Sequence, residues 1–68
     1  NVEEVTIFMQ KYEHFIASYK YNCELYDLTT SFLSIYPIRR KHFESYIEYL
    51  HNNIIMYKQI LLCLDVAL

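Results

Sequence analysis

The sequence predicts an all-α fold: an antiparallel helical hairpin of two long helices with its turn at Pro37. The chain has no glycine and one proline, so the two strongest breakers of helices allow a single break, close to its centre. On both sides of Pro37, apolar residues recur at alternating spacings of three and four, the heptad pattern of coiled coils and helical bundles. Strands would require a two-residue alternation over short runs, and neither half of the chain has it.

Helix one is predicted over about residues 2–35 and helix two over about residues 39–67. Positions a and d of each heptad form the stripe that faces the other helix. In helix one these positions hold Val2, Val5, Met9, Tyr12, Ile16, Tyr19, Cys23, Tyr26, Thr30 and Leu33. In helix two they hold Phe43, Ile47, Leu50, Ile54, Tyr57, Leu61, Leu64 and Leu68. When the stripes face each other, Met9 lies level with Leu64, Thr30 lies level with Phe43, and the turn is centred between residues 36 and 37.

A three-helix arrangement is the alternative. Ser and Thr are frequent N-cap residues, so Thr29, Thr30 and Ser31 are able to begin a short extra helix before Pro37. The two arrangements differ in whether helix one continues through these hydroxyl residues.

The small size of the chain indicates that it needs a partner. Its 68 residues form one helical domain at most, and a core of that size rarely stabilises itself. A hydrophobic content of 54% excludes a disordered tail, and a net charge of −2 gives no general attraction to nucleic acid. The chain begins at Asn1 rather than Met and ends in an apolar run, so we expect it to be an excerpt of a longer protein.

The two flanks of the heptad stripe differ in polarity. Position e is polar throughout and is expected to meet water: Glu13, Lys20, Asp27, Glu44, His51, Lys58 and Asp65. Position g is apolar near the helix ends, with Phe8 and Phe15 on helix one and Tyr46 and Ile60 on helix two. A stripe of three apolar residues per heptad is typical of larger bundles, because two helices alone cannot cover it.

Phe8, Phe15, Tyr46 and Ile60 are therefore the predicted interface. The expected partner is a second copy, which would complete a four-helix bundle, or a helix of another protein. The alternative is that these residues complete the core of a longer chain. Further apolar residues outside this stripe indicate additional contacts: Leu25, Leu28, Phe32, Ile55, Leu62 and Val66.

A basic cluster follows the proline. Arg39, Arg40 and Lys41 stand at the start of helix two, where cations oppose the helix dipole, so the cluster is a candidate contact for an anion. The alternative is a solvated turn in which Arg40 and Lys41 pair with Glu44 at helical spacing. Under the second hypothesis for function, this cluster would contact a membrane surface.

The sequence predicts no enzyme, cofactor or metal site. Glu48 and His51 form one Glu-x-x-His unit, but di-metal bundles require two such units and two further inward-facing glutamates. No glycine-rich loop exists to hold a phosphate, because there is no glycine. The predicted hairpin keeps Cys23 and Cys63 too far apart for a disulfide, which indicates an intracellular, reducing compartment. The predicted function is an oligomerisation module that acts as a scaffold segment, and the alternative is a lipid-contacting helical element.

Overall fold

The computed structural model describes residues 1–66 and is a helical hairpin. Helix α1 spans Val2–Ile35, a single 3₁₀ turn spans Pro37–Arg39, and helix α2 spans Arg40–Cys63. The described residues contain no strand, and the prediction of an all-α hairpin that turns at Pro37 is confirmed. The molecule is elongated, measuring 55 × 19 × 16 Å.

Local chemistry fixes both ends of α1. The side-chain oxygen of Asn1 accepts hydrogen bonds from the backbone N–H groups of Glu3 and Glu4, at 2.7 and 3.3 Å. These bonds satisfy two of the donors that a helix start leaves open, and the two carboxylates favour the positive end of the helix dipole. At the other end, Tyr36 leaves the helical region with φ −122° and ψ 68°. A residue before proline is driven out of the helical conformation by the proline ring, so α1 ends there.

Helix α1 is continuous through the hydroxyl residues that suggested a third helix. The hydroxyl of Thr29 donates to the carbonyl oxygen of Leu25 at 2.7 Å, and that of Thr30 donates to the carbonyl oxygen of Tyr26 at 3.0 Å. Side chains that bond to the carbonyl four residues earlier belong to a helix interior and are not N-caps. The three-helix alternative is therefore wrong.

Helix α2 ends at Cys63, before the predicted boundary near residue 67. The N–H of Val66 donates to the carbonyl oxygen of Leu61 at 3.0 Å, and the N–H of Asp65 donates to that of Leu62 at 3.1 Å. These two bonds define a Schellman motif, in which the residue after the C-cap is left-handed, and Asp65 has φ 62°. Ala67 and Leu68, which the heptad pattern assigned to helix two, lie outside the described residues.

The face of α1 that contacts α2 is rotated from the predicted a/d stripe toward position g. Among the described residues the buried apolar side chains are Leu33, Leu50 and Leu61, and the buried polar side chain is Asn22, at position g. Thr30, at position a, is exposed. Phe43 was predicted to lie level with Thr30. In the structure its ring instead meets that of Phe32, at position c, edge to face, with 5.5 Å between the ring centroids.

The first turns of α1 extend beyond α2. Helix α1 has 34 residues and α2 has 24. Ten residues at 1.5 Å each correspond to an overhang of about 15 Å. Met9, predicted to face Leu64, remains 55% exposed there, and Val2, Val5 and Phe8 are exposed as well.

Candidate interaction surface

The four predicted interface residues lie in two different environments. The ring of Phe15 lies 6.3 Å from that of Tyr57 on α2, so Phe15 belongs to the contact within the hairpin. Ile60 is half-buried. Phe8 lies on the overhanging part of α1, with its ring 6.4 Å from that of Tyr12, and it is largely exposed. Tyr46, on α2, is also exposed but to a lesser degree. The hairpin itself thus covers part of the g flank, and Phe8 and Tyr46 remain available to a partner.

A hydrogen bond between the helices shows which positions share a side of the hairpin. The side-chain amide of Asn53 donates to the side-chain oxygen of Asn22 at 3.1 Å, and both residues occupy position g. The g flanks of α1 and α2 therefore adjoin. Positions c and f lie beyond g on a helical wheel, so the c and f residues of both helices border the same side of the hairpin.

That side carries no Asp, Glu, Lys or Arg over most of its length. From Ser18 to Ile35 on α1 and from His42 to Cys63 on α2, positions c, f and g hold only uncharged residues and one histidine. We call this surface the uncharged face. Over the same two spans, every Asp, Glu, Lys and Arg occupies position b or e: Lys20, Glu24, Asp27, Glu44, Glu48 and Lys58. The charges are thus segregated to the opposite side.

Large apolar and tyrosine side chains project from the uncharged face. The most exposed residue near its centre is Leu28, at 67%, and Tyr49 on α2 is 59% exposed. The rings of Tyr46 and Tyr49 stack at 6.4 Å with an angle of 22° between their planes. The other exposed members are Tyr21, Phe32, Ile35 and Met56. The α1 part of the face spans 18 residues, or about 27 Å of helix.

An apolar groove lies on this face near the turn. It has a volume of about 180 Å³ and is lined by Leu28, Thr29, Phe32 and Phe43. Phe32 forms its wall, held by ring contacts to Phe43 at 5.5 Å and to Tyr36 at 5.0 Å. The groove is thus a shallow apolar depression, one side of which is the exposed side chain of Leu28.

The hairpin exposes more surface than its mass requires. Its solvent-accessible surface is 5676 Å² for 8.3 kDa. A compact monomer of this mass exposes about 4,600 Å². The radius of gyration is 15.5 Å, whereas a compact chain of this length has about 11 Å. The excess, about 1,100 Å², is of the size that one partner loses in a stable protein interface.

The basic cluster at the turn has no acidic partner within residues 1–66. Arg39, Arg40 and Lys41 are exposed, and none of them forms an ion pair with Glu44 or with another described carboxylate. Charge relief through Glu44, the alternative to an anion contact, is therefore not formed. The three positive charges remain available on one end of the hairpin.

The remaining chemical groups are metal-ligating, thiol and phenol side chains. In residues 1–66 no three His, Cys, Asp or Glu side chains lie close enough together to hold a metal ion. Cys23 and Cys63 are free thiols, the first half-buried and the second exposed. Burial raises the pKa of Tyr19 above its ordinary value of 10.0, and the neighbouring Cys23 adds to the rise through electrostatic repulsion and a hydrogen bond. Such a tyrosine is a weaker acid than usual, which does not suit a role as a base at neutral pH.

Neither α1 nor α2, over the described residues, has a stretch that is long and apolar enough to cross a membrane. Comparison with protein-family models, with curated proteins and with solved structures finds no significant match to this chain.

The uncharged face is the feature that sequence reasoning missed. Its signal is the absence of charge at positions c and f after Ser18, and a count of apolar residues at a, d and g alone does not detect it.

Proposed function

We propose that this chain is a self-association module, in which two hairpins pack their uncharged faces together as a four-helix bundle and so assemble the larger protein. The observation that carries the proposal is the segregation of charge. Burying a charged side chain costs several kcal/mol unless it is paired, whereas the uncharged face is buried without that penalty. The charged side remains in water and keeps the assembly soluble.

A second copy is the occupant that best fits this face. In a two-fold dimer the same patch meets itself, so both sides of the contact must have the same character. Two uncharged, tyrosine-rich faces satisfy this condition, and the tyrosine hydroxyls remain able to bond to water at the rim or to each other. The excess surface of about 1,100 Å² exceeds the roughly 800 Å² that each partner buries in an interface of standard size. One contact somewhat larger than the standard size would therefore cover it.

Sedimentation equilibrium over a wide concentration range tests the proposal. Leu28→Glu places a carboxylate at the centre of the uncharged face, and Ser31→Glu places the same charge three residues later at position b, on the charged side. We expect the native chain and Ser31→Glu to form dimers and Leu28→Glu to be monomeric. A folded native monomer at all concentrations, or equal dissociation of both variants, would overturn the proposal.

Leu28 is a cleaner probe than the predicted interface residue Phe15. Because Phe15 contacts Tyr57 within the hairpin, Phe15→Glu would destabilise the fold of the monomer as well as any dimer. Its effect on association could not be separated from its effect on folding. Leu28 is largely exposed and lines a groove that is open to solvent, so we expect a charge there to leave the contact between α1 and α2 intact. Circular dichroism of both glutamate variants checks that helix content is retained.

A membrane-surface role is the second candidate, because the hairpin exposes tyrosines on the uncharged face and a basic cluster at its turn. Tyrosine favours the boundary between apolar and aqueous phases, and Arg39, Arg40 and Lys41 would meet anionic headgroups. Under this hypothesis the native chain sediments as a monomer and binds vesicles that contain phosphatidylserine. Reversing the three basic charges would then abolish vesicle binding. Self-association with no vesicle binding would exclude it.

A further inference from the structure

A second cleft lies between the helices near the turn, on the charged side of the hairpin. It has a volume of about 260 Å³ and opens to solvent. Its lining combines one cation, three hydroxyl side chains and two aliphatic side chains: Tyr26, Thr30, Leu33, Ser34, Arg40 and Ile47. These residues occupy positions a, d and e, so the cleft is separate from the uncharged face. Within residues 1–66, no carboxylate lines it.

The cleft offers both hydrogen-bond donors and acceptors. Arg40 brings a guanidinium with five N–H donors, and it has no carboxylate partner within residues 1–66. The hydroxyl of Thr30 donates to the carbonyl oxygens of Tyr26 and Asp27, both at 3.0 Å, and that of Ser34 donates to the carbonyl oxygen of Ser31 at 2.7 Å. Since these two hydroxyl protons are already used, the lone pairs of the Thr30 and Ser34 oxygens are what these side chains can offer to a ligand, as acceptors.

We infer that this cleft binds a phosphate group. A phosphate monoester near neutral pH carries anionic oxygens and, in part of the population, a P–OH proton. Its anionic oxygens match the fork of the Arg40 guanidinium, and its P–OH has acceptors in Thr30 and Ser34. A carboxylate carries less negative charge than a phosphate monoester and has no proton to give those hydroxyl oxygens, so it matches the cleft less well.

Two further features favour an organic phosphate. Leu33 and Ile47 form an apolar wall, which suits the carbon part of a phosphate ester. Arg39 and Lys41 flank Arg40 and raise the positive potential at the mouth of the cleft without lining it. The ligand is thus a phosphate monoester, either free in solution or as the headgroup of a phospholipid such as phosphatidic acid.

Two-dimensional NMR of the full chain, titrated with phenyl phosphate, tests this inference. We expect saturable shifts of the Arg40 side-chain N–H and of the amides around Tyr26, Thr30 and Ile47. Arg40→Gln should weaken binding about tenfold or more, the effect of losing a charge-assisted pair of hydrogen bonds. Arg39→Gln is the matched control, because it removes the same charge one residue away, and it should weaken binding only about two- to threefold.

A second variant and a second ligand separate a site from general attraction. Thr30→Val keeps the shape of the side chain and removes the acceptor, so it should weaken phenyl phosphate binding with little change in stability. Benzoate, the carboxylate of similar size, should bind more weakly than phenyl phosphate. Equal losses in Arg39→Gln and Arg40→Gln, or equal binding of benzoate, would overturn the inference.

Vesicles identify the source of the phosphate. Vesicles of phosphatidylcholine with phosphatidic acid are compared with phosphatidylcholine alone, using the native chain and Arg40→Gln. Binding to phosphatidic acid that Arg40→Gln removes would assign the site to a lipid headgroup. Binding of phenyl phosphate without vesicle binding would assign it to a soluble ester, and binding of neither would overturn the inference.

Discussion

The side-chain amide of Asn53 donates a hydrogen bond to the side-chain oxygen of Asn22, 3.1 Å away across the hairpin. Asn22 is 8% exposed, and its own amide donates to the carbonyl oxygen of Ser18 at 2.7 Å. A buried asparagine is tolerated when its polar atoms have partners, and a single such pair specifies register because a shifted register would separate its members. This pair therefore links α1 to α2 in one register.

The first prediction concerns that pair. Asn22→Leu removes the acceptor and leaves the half-buried amide of Asn53 without its partner, so we expect a loss of about 1–2 kcal/mol in the free energy of unfolding. Asn22→Leu combined with Asn53→Leu should recover most of that loss, because both polar groups are then gone. Urea unfolding, followed by circular dichroism at one chain concentration, measures both changes. Equal stability of the single and double variants would contradict the role assigned to the bond.

The second prediction compares two adjacent leucines near the end of α2. Leu61 is fully buried and Leu62 is 52% exposed. Leu61→Ala should lower the free energy of unfolding by about 2–4 kcal/mol, because it removes buried methyl groups and leaves a cavity. Leu62→Ala should change it by less than about 1 kcal/mol, since the side chain already meets water. Thermal unfolding of both variants under the same conditions checks the difference.

The third prediction concerns the backbone of Asp65. Its φ of 62° is left-handed, a conformation that costs a residue with a β-carbon about 1–2 kcal/mol relative to glycine. Asp65→Gly should therefore stabilise the hairpin by about 1 kcal/mol, allowing for the greater freedom of glycine in the unfolded chain. Asp65→Ala removes the same charge but keeps the β-carbon, so it isolates the conformational part. If both variants were equally stable, the Schellman end of α2 would be refuted.

The fourth prediction is a loss of stability at high pH. The pKa of Tyr19 is raised in the folded state above its ordinary value of 10.0, first by burial and then by Cys23. Since folding favours the neutral phenol, its contribution is complete below pH 10.0 and declines as the pH rises through the higher folded pKa. Tyr19→Phe should flatten this part of the stability profile, and Cys23→Ala should reduce it. Unfolding by urea between pH 9 and 11.5 measures the slope, and an unchanged slope in Tyr19→Phe would contradict the assignment.

Part of this structure was predictable because it depends on local chemistry and on periodicity. Pro37 bars the residue before it from the helical conformation, which places the turn without knowledge of the fold. Leu50 and Leu61 lie in the predicted stripe and are buried, since a heptad stripe faces its partner helix in most registers. The end of α2 was not predictable, because the chain has no glycine to mark it and an aspartate adopts the left-handed position instead.

The rotation of α1 was not predictable either. Asparagine is usually exposed, so a pattern of apolar residues assigns Asn22 to the surface and Thr30 to the core. In the folded hairpin the reverse holds, because Asn53 on the other helix satisfies Asn22. The same rotation brings Phe15 into the hairpin contact and leaves the c and f residues of both helices on one free side. Only that placement turns scattered apolar residues such as Leu28 and Tyr49 into one surface.

By itself the sequence determined the helical class, the two-helix topology and the site of the turn, because helix periodicity and the constraint imposed by proline act within a few residues along the chain. The tertiary structure alone decided which face of α1 is buried, where α2 stops, and which residues share the uncharged face and the Arg40 cleft. These depend on contacts between residues far apart in sequence, such as Asn22 with Asn53 and Phe32 with Phe43. Small differences in packing free energy between neighbouring rotations select them, and a one-dimensional pattern does not contain those differences.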